Sequence, residues 1–225
     1  MNERLEGVEV LTFDCYGTLI DWNAGVRRAL AALQSLEDCD HDQLVRDRSD
    51  ADRRLTKRGY MPYDKVLRES LREAAEAQDA GVTTEEAREF SISMSRWPAF
   101  AEAPAALARL ATRYRLAILS NVRTAVLERS IAALGVDFEA LITAEGLHSY
   151  KPRHDHFEEA LRRLRVTKEQ VLHVACSPYH DLAPAEELEW RDAWVDRTGD
   201  PLCAGLTPTT TVRDLDELCV ELGVD

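Results

Sequence analysis

Short apolar runs that alternate with amphipathic helices constrain this chain more than any other feature of its sequence. The first run, Val8 to Phe13, stops abruptly at the turn-forming segment Asp14-Cys15-Tyr16-Gly17-Thr18. Beyond Pro98 and Pro104 the alternation becomes regular. The periodicity predicts a helix over 105–114, a strand over 116–120, a helix over 124–134 closed by Gly135, and a short strand over 141–143. It then predicts a helix over 154–164, a strand over 171–175, a helical turn, and a last strand over 193–196. Strands this short and apolar, joined by helices, pair in parallel and need cover on both faces. The pattern therefore predicts an α/β fold, a doubly wound parallel sheet with right-handed crossovers.

Between the first strand and Pro98 the period is helical throughout. Val26, Leu30 and Leu33 recur at helical spacing, and Leu44, Val66, Leu67 and Leu71 continue it, with polar breaks at 38–42 and 59–63. This block reads as a helical cap over residues 21–97 inserted into a core formed by 1–20 and 98–225. A chain of 225 residues, 45% of them hydrophobic, is long enough for such a core and a small cap. The net charge of −13 would repel phosphates over most of the surface, which argues against nucleic-acid and membrane partners. The arginine-rich steps at Arg53-Arg54 and Arg162-Arg163 are flanked by acids and read as solvated helix faces. Five scattered cysteines without a C-x-x-C pair fit a reducing compartment, so a cytoplasmic location is expected. The polar start MNERLEGVEV is not a signal peptide, and no apolar run approaches the ~18 residues of a membrane span.

Parallel sheets bind ligands at the carboxyl ends of their strands, so the informative residues are those just after each one. Asp14 stands where the first strand stops. Backbone N–H groups of the following turn can keep it ionised and aim one oxygen outward as a nucleophile; a plain turn cap is the alternative role. Gly17 permits the tight turn, and the Thr18 hydroxyl is placed to bond the carboxylate or a neighbouring loop. Ser120 and Asn121 follow the second strand and offer a hydroxyl and an amide for an anionic group, or else a helix cap. Lys151 precedes Pro152 in a chain with four lysines and 24 arginines. Its ammonium can offset the Asp14 charge and bind an anion, although most lysines lie on the surface. Asp181, after Cys176-Ser177-Pro178-Tyr179-His180, can orient Lys151, position a water, bind a metal or cap a helix. His173 and His180 do not form a zinc spacing and read as structural residues or supports behind a site, as does Cys15.

Taken in order, these segments resemble the motif set of the haloacid dehalogenase superfamily. Phe13-Asp14-Cys15-Tyr16-Gly17-Thr18-Leu19 resembles the first motif, Ser120-Asn121 the second, Lys151-Pro152 the third, and the stretch ending in Asp181 the fourth. Trp194-Val195-Asp196-Arg197-Thr198-Gly199 resembles a further segment of the L-2-haloacid dehalogenase branch. Phosphatase members carry a second aspartate two residues after the nucleophile, where this chain has Tyr16. They also carry an acidic pair for Mg²⁺ in the fourth motif, where this chain has Cys176 and one acid, Asp181. The dehalogenase branch itself has serine, asparagine and tyrosine where this chain has Cys176, Pro178 and Phe157.

The resemblance implies a Rossmann-like core and a catalytic set of Asp14, Lys151 and Asp181. It implies an Asp14 ester formed on a small anionic 2-haloacid and hydrolysed to a 2-hydroxy acid, with no metal or other cofactor. Cys15, Tyr16, Thr18, Ser120, Asn121 and Ser177 would bind substrate, and Arg46 would receive the halide, with Arg48 in reserve. A homodimer is also implied. The alternatives are an Mg²⁺-dependent small-molecule phosphatase using the same Asp14 and a non-catalytic binding protein on this scaffold.

Overall fold

The computed structural model describes residues 3–197, 202 and 205–224. Its element order begins with strand β1 (Val10–Phe13), followed by helices α1 (Trp22–Ala31), α2 (His41–Lys57), α3 (Tyr63–Glu76) and α4 (Thr84–Ser93). Then come α5 (Ala103–Leu110), β2 (Arg115–Ser120), α6 (Thr124–Ile131), β3 (Ala140–Thr143), α7 (Ala144–Leu147) and α8 (Asp155–Leu164). The chain continues through β4 (Val171–Ala175), α9 (Ala183–Glu187), β5 (Arg191–Val195), β6 (Thr210–Val212) and α10 (Leu215–Leu222). Among the described residues the sheet has six strands in the order β3-β2-β1-β4-β5-β6, every pairing parallel. Chain direction along the sheet reverses at β1 and β4, so the carboxyl ends of these two central strands flank the switch point where α/β folds bind ligands.

Strand alternation assigns the two layers. Leu11 and Phe13 of β1, Leu116 and Ile118 of β2, Leu172 and Val174 of β4, and Ala193 and Val195 of β5 join one buried cluster. Leu107 and Leu110 of α5, Leu127 of α6, and Leu215, Leu218 and Leu222 of α10 cover that face. The intervening residues Val10, Ala117, Leu119 and Val171 join a second cluster with Phe157, Ala160 and Leu164 of α8 and Ala185 of α9. All four residues of β1 are buried, as expected of a central parallel strand covered on both sides. Burying one leucine-sized side chain contributes about 1.5–3 kcal/mol, so these rows fix the register as well as the stability.

Helices α1–α4 leave and rejoin the sheet through two adjacent segments. Asp21 N–H donates to Pro98 O (2.8 Å) and Phe100 N–H donates to Leu19 O (3.0 Å), which clamps the outgoing and returning chain side by side. Local chemistry starts the helices: Asp21 caps α1, Asp40 accepts from two backbone N–H groups at the start of α2, and Thr83 with Glu86 forms a reciprocal capping box on α4. Gly25 of α1 lies where an added Cβ would stand 2.3 Å from the Trp97 ring, so only glycine lets the returning chain pack this closely.

The expected strand over 193–196 is not the last. It forms as β5 over Arg191–Val195, and β6 with α10 follows it. The first strand starts at Val10 rather than Val8. No helix among the described residues is long and apolar enough to cross a membrane.

Candidate active site

A cavity of about 290 Å³ opens at the carboxyl ends of β1 and β4, roofed by residues of α1, α2 and α3. Asp14 reaches it from the end of β1, its backbone N–H held by Val174 O of β4 (3.0 Å). The turn that follows is tight. Gly17 takes φ +101°, and a Cβ there would stand 2.7 Å from Cys176 Sγ, so both conformation and space require glycine. One turn onward, the Thr18 hydroxyl donates to Asp14 Oδ2 (2.9 Å) and accepts from Cys176 N–H (3.0 Å), tying the β1 and β4 loops together.

Lys151 is buried between the two carboxylates. Its Nζ donates to Asp14 Oδ1 (3.0 Å), Asp181 Oδ1 (2.6 Å) and Leu119 O (2.7 Å), which uses all three ammonium hydrogens. Asn121 fixes the loop that carries it: its amide accepts from Lys151 N–H (2.7 Å) and donates to Lys151 O (2.9 Å). Asp181 lies in a single π-helical turn, Pro178–Leu182, capped by Ser177. Besides Lys151 it receives His173 Nε2–H on the same oxygen, Oδ1 (2.9 Å). Its other oxygen, Oδ2, is buried without a partner.

Two anions and one cation in so small a volume push each other's protonation in different directions. Burial raises the Asp14 carboxyl above its ordinary value despite the opposing pull of Lys151. Burial acts on Asp181 in the same sense, but Lys151 and His173 outweigh it and hold Asp181 below the usual carboxylate range. Burial would lower Lys151, yet the Asp14 and Asp181 charges more than offset it and keep the ammonium protonated. The Cys176 thiol is pushed up to about 12 by burial and by the Asp14 charge, so it stands beside the site as a neutral thiol.

The cap side of the cavity holds Arg48, Asp52, Arg53, Ser49, Tyr63, Trp22 and Met94. Arg48 is buried, with its guanidinium 5.0 Å from the Trp22 ring centre and 3.4 Å from Asp52 Oδ2. The Tyr63 hydroxyl donates to the same Asp52 oxygen (2.9 Å).

The structure brings together Asp14, Tyr16, Ser120, Asn121, Lys151, Ser177 and Asp181 around the cavity. It corrects the placement of Arg46. That side chain is exposed on α2 and bonded to Gln43 Oε1, outside the cavity, while Arg48 points in. Two further substrate-binding expectations change. Cys15 is buried in the hydrophobic core rather than lining the cavity. Thr18 is also buried outside the lining and serves Asp14 directly. Tyr16 lines the cavity with its hydroxyl bonded to Ser130 Oγ (2.7 Å). Arg197 braces the site from behind, donating to Thr18 O (2.6 Å) and pairing with Glu102 (2.8 Å); Thr198 and Gly199 lie outside the described residues. Sequence reasoning missed Asp52, Tyr63, Trp22 and Met94. The available signal was the Arg48/Asp52 spacing of four on a predicted helix.

The donors do not suit Mg²⁺. A hard divalent cation prefers several oxygen ligands, but an ammonium already bridges the two carboxylates and the position beside them carries a neutral thiol. No group of three or more His, Cys, Asp or Glu side chains able to hold a metal occurs among the described residues.

The family model for haloacid dehalogenase-like hydrolases matches residues 8–186. Haloacetate dehalogenase H-2 of Moraxella sp. (strain B) is 27% identical over 95% of this chain and 97% of its own length. The (S)-2-haloacid dehalogenase H-109 of Pseudomonas putida is 26% identical over the same shares. The L-2-haloacid dehalogenase of Xanthobacter autotrophicus, solved with chloropropionic acid covalently bound, superposes with a TM-score of 0.81 at 21% identity, covering 95% of this chain and 98% of that one.

Proposed function

The chain belongs to the haloacid dehalogenase-like hydrolase family, and from that premise we propose that it hydrolyses short (S)-2-haloacids to 2-hydroxy acids through an ester on Asp14. The observation that carries this reading is the Asp14–Lys151–Asp181 array, in which one ammonium orders two carboxylates with opposite protonation shifts. Residues 1–20 and 98–225 serve as the core and 21–97 as the cap that closes the cavity.

The reaction begins with the substrate carboxylate held by Ser120 and by turn N–H groups at Cys15 and Tyr16. Thr18 and Lys151 fix the two Asp14 oxygens so that a lone pair faces C2 of the substrate. Attack forms the C2–O bond and breaks the carbon–halogen bond, with inversion at C2. The halide departs toward Arg48, the buried guanidinium on the cap side. A water then loses a proton to Asp181 and adds to the Asp14 ester carbonyl. Collapse returns Asp14 as a carboxylate and releases the hydroxy acid, whose oxygen takes up a proton. The sum is haloacid plus water giving hydroxy acid, halide and one proton. No step passes through a metal. The support for this reading over phosphoryl transfer is the neutral Cys176 thiol and the aromatic Tyr16 where a phosphatase needs acids.

The test is halide release from 2-chloro-, 2-bromo- and 2-fluoro-acids in EDTA, with Asp14→Asn protein as control and phosphate esters plus Mg²⁺ run alongside. Release that survives EDTA and is lost in the variant supports the reading. Phosphate release that requires Mg²⁺, without halide release, replaces it by phosphatase chemistry.

A further inference from the structure

We propose that His173, outside the cavity and without contact to substrate, is a positioning residue that assigns the two oxygens of Asp181 different tasks and leaves Oδ2 as the base for ester hydrolysis. The inference rests on the reaction proposed above and concerns only its second half.

His173 lies on β4 with its side chain on the α8 face, registered against Thr12 of β1 on one side and Asp192 of β5 on the other. It is fully buried, its ring edge-on to Phe157 with centroids 5.1 Å apart. A histidine in the middle of an apolar parallel strand is costly unless both ring nitrogens are satisfied. Here both are. Nε2 stands 2.9 Å from Asp181 Oδ1 and Nδ1 stands 3.0 Å from Thr12 Oγ1. An ionised carboxylate only accepts, so Nε2 carries the hydrogen and donates it to Asp181. In the neutral ring Nδ1 is then the acceptor, and the Thr12 hydroxyl donates to it. Asp181 therefore fixes which nitrogen carries the hydrogen, and the Thr12 hydroxyl, able to donate or accept, satisfies the other and holds the ring in place.

The consequence falls on Asp181. Oδ1 receives two donors, Lys151 Nζ and His173 Nε2, and is thereby stabilised as an anion and occupied in space. Oδ2 has no partner although it is buried, an arrangement that leaves the more basic oxygen unspent. Asp181 lines the cavity and only its Oδ2 lacks a donor, so a water that reaches Asp181 from beside the Asp14 ester gives its proton to that oxygen. Formation of the ester does not use that oxygen, because attack on C2 involves no proton transfer. Without the His173 donor the Asp181 carboxylate is held by Lys151 alone and can turn, so ester hydrolysis should slow through lost positioning while ester formation is spared. A side chain that merely filled the core would affect the two halves alike.

The experiment is rapid-quench halide release and mass analysis of the protein, on the wild type and on His173→Leu, His173→Gln and Thr12→Val. His173→Leu should release close to one equivalent of halide per protein at the wild-type rate. Turnover should then slow about tenfold to a hundredfold, the loss of a hydrogen bond to a charged group, while the Asp14 ester accumulates as added mass. His173→Gln, which can still donate an N–H toward Asp181, should recover most of the turnover. Thr12→Val should shift the same ratio in the same direction by less. Equal slowing of the burst and of turnover in folded variants, or no rescue by Gln, overturns the proposal. Should His173→Leu fail to fold, Thr12→Val carries the same comparison. A substrate-free arm separates this inference from the reaction it rests on: ¹⁵N long-range NMR correlations of the wild-type imidazole should show Nε2 protonated and Nδ1 bare. The opposite tautomer refutes the positioning role even if halide release is normal, whereas absent halide release in the wild type refutes the dehalogenase reading.

Discussion

Replacing Lys151 by methionine isolates the charge that orders the site. The substitution keeps the length of the stem and removes the ammonium from between Asp14 and Asp181, to which it donates at 3.0 and 2.6 Å. At an effective dielectric of about 20, each contact represents about 6 kcal/mol of gross attraction, most of it offset by the cost of burying the charges. Removing one member of such a buried set costs about 3–5 kcal/mol. Protonation sets a ceiling, since a carboxyl of ordinary pKa can take up a proton at pH 7 for about 4 kcal/mol. The loss at pH 7.5 should therefore be about 3–5 kcal/mol, within the total stability of about 5–15 kcal/mol of a folded domain. At pH 4.5 the same protonation costs about 1 kcal/mol per carboxyl, so the deficit should shrink below about 2 kcal/mol.

The signs agree with the wild-type shifts. Asp181 is held low, so its contribution is present above the unfolded pKa and lost as pH falls through the folded one. Asp14, held high by burial, works in the opposite sense. In the variant both carboxyls lie high, so stability is lost as pH rises through their folded values. Urea unfolding followed by circular dichroism at both pH values reads the difference. A variant within 1 kcal/mol of wild type at pH 7.5 refutes the reasoning, as does a deficit independent of pH.

Arg46→Ala should leave turnover within about twofold of wild type because its side chain is exposed and bonded only to Gln43, whereas Arg48→Ala should lower kcat by about tenfold or more through loss of the halide acceptor; steady-state kinetics on 2-chloropropionate separates them. The acid limb of kcat/KM should have its midpoint above 3.8, because burial raises Asp14 and only the carboxylate attacks; a limb at or below that value contradicts the assignment. Asp52→Asn should tighten inhibition by added chloride or bromide severalfold, since Asp52 offsets part of the Arg48 charge at 3.4 Å; unchanged halide inhibition constants would place the halide elsewhere.

Much of this architecture is legible in the sequence because parallel strands announce themselves as continuous apolar runs and because reactive groups follow them. Asp14, Asn121, Lys151 and Asp181 come after strands and Ser120 ends one, and the fold gathers their side chains at one end of the sheet. Strand β6 escaped because Thr210-Thr211-Val212 has little apolar content; it exists by pairing with β5. The cap arginine was misplaced through helix phase. Leu44, Arg48, Ala51, Asp52 and Leu55 share the buried face of α2. At about 100° per residue, Arg46 lies about 200° from Leu44 and so points away from that face. Residue spacing on the helix, rather than position counted from the nucleophile, decides which arginine faces the cavity. The Thr18 bond to the Asp14 carboxylate was legible from its place in the turn, whereas the role of Asn121 was harder to read, because it acts on Lys151 through contacts that only the folded chain creates. His173 is legible as a polar residue in a strand, but its partner lies in the loop beyond, and nothing in a strand pattern says where that loop turns back.

The central claim is a covalent ester on Asp14, and oxygen isotope incorporation tests it most directly. Wild-type protein is turned over many times on a 2-haloacid in H₂¹⁸O, digested, and the peptide containing Asp14 weighed. Attack by Asp14 on carbon followed by water attack on the ester carbonyl predicts ¹⁸O in the Asp14 carboxylate and, in a single turnover, unlabelled oxygen in the hydroxy acid. Label that appears in the single-turnover product and never in Asp14 would mean that water attacks the substrate directly, and the account would be wrong.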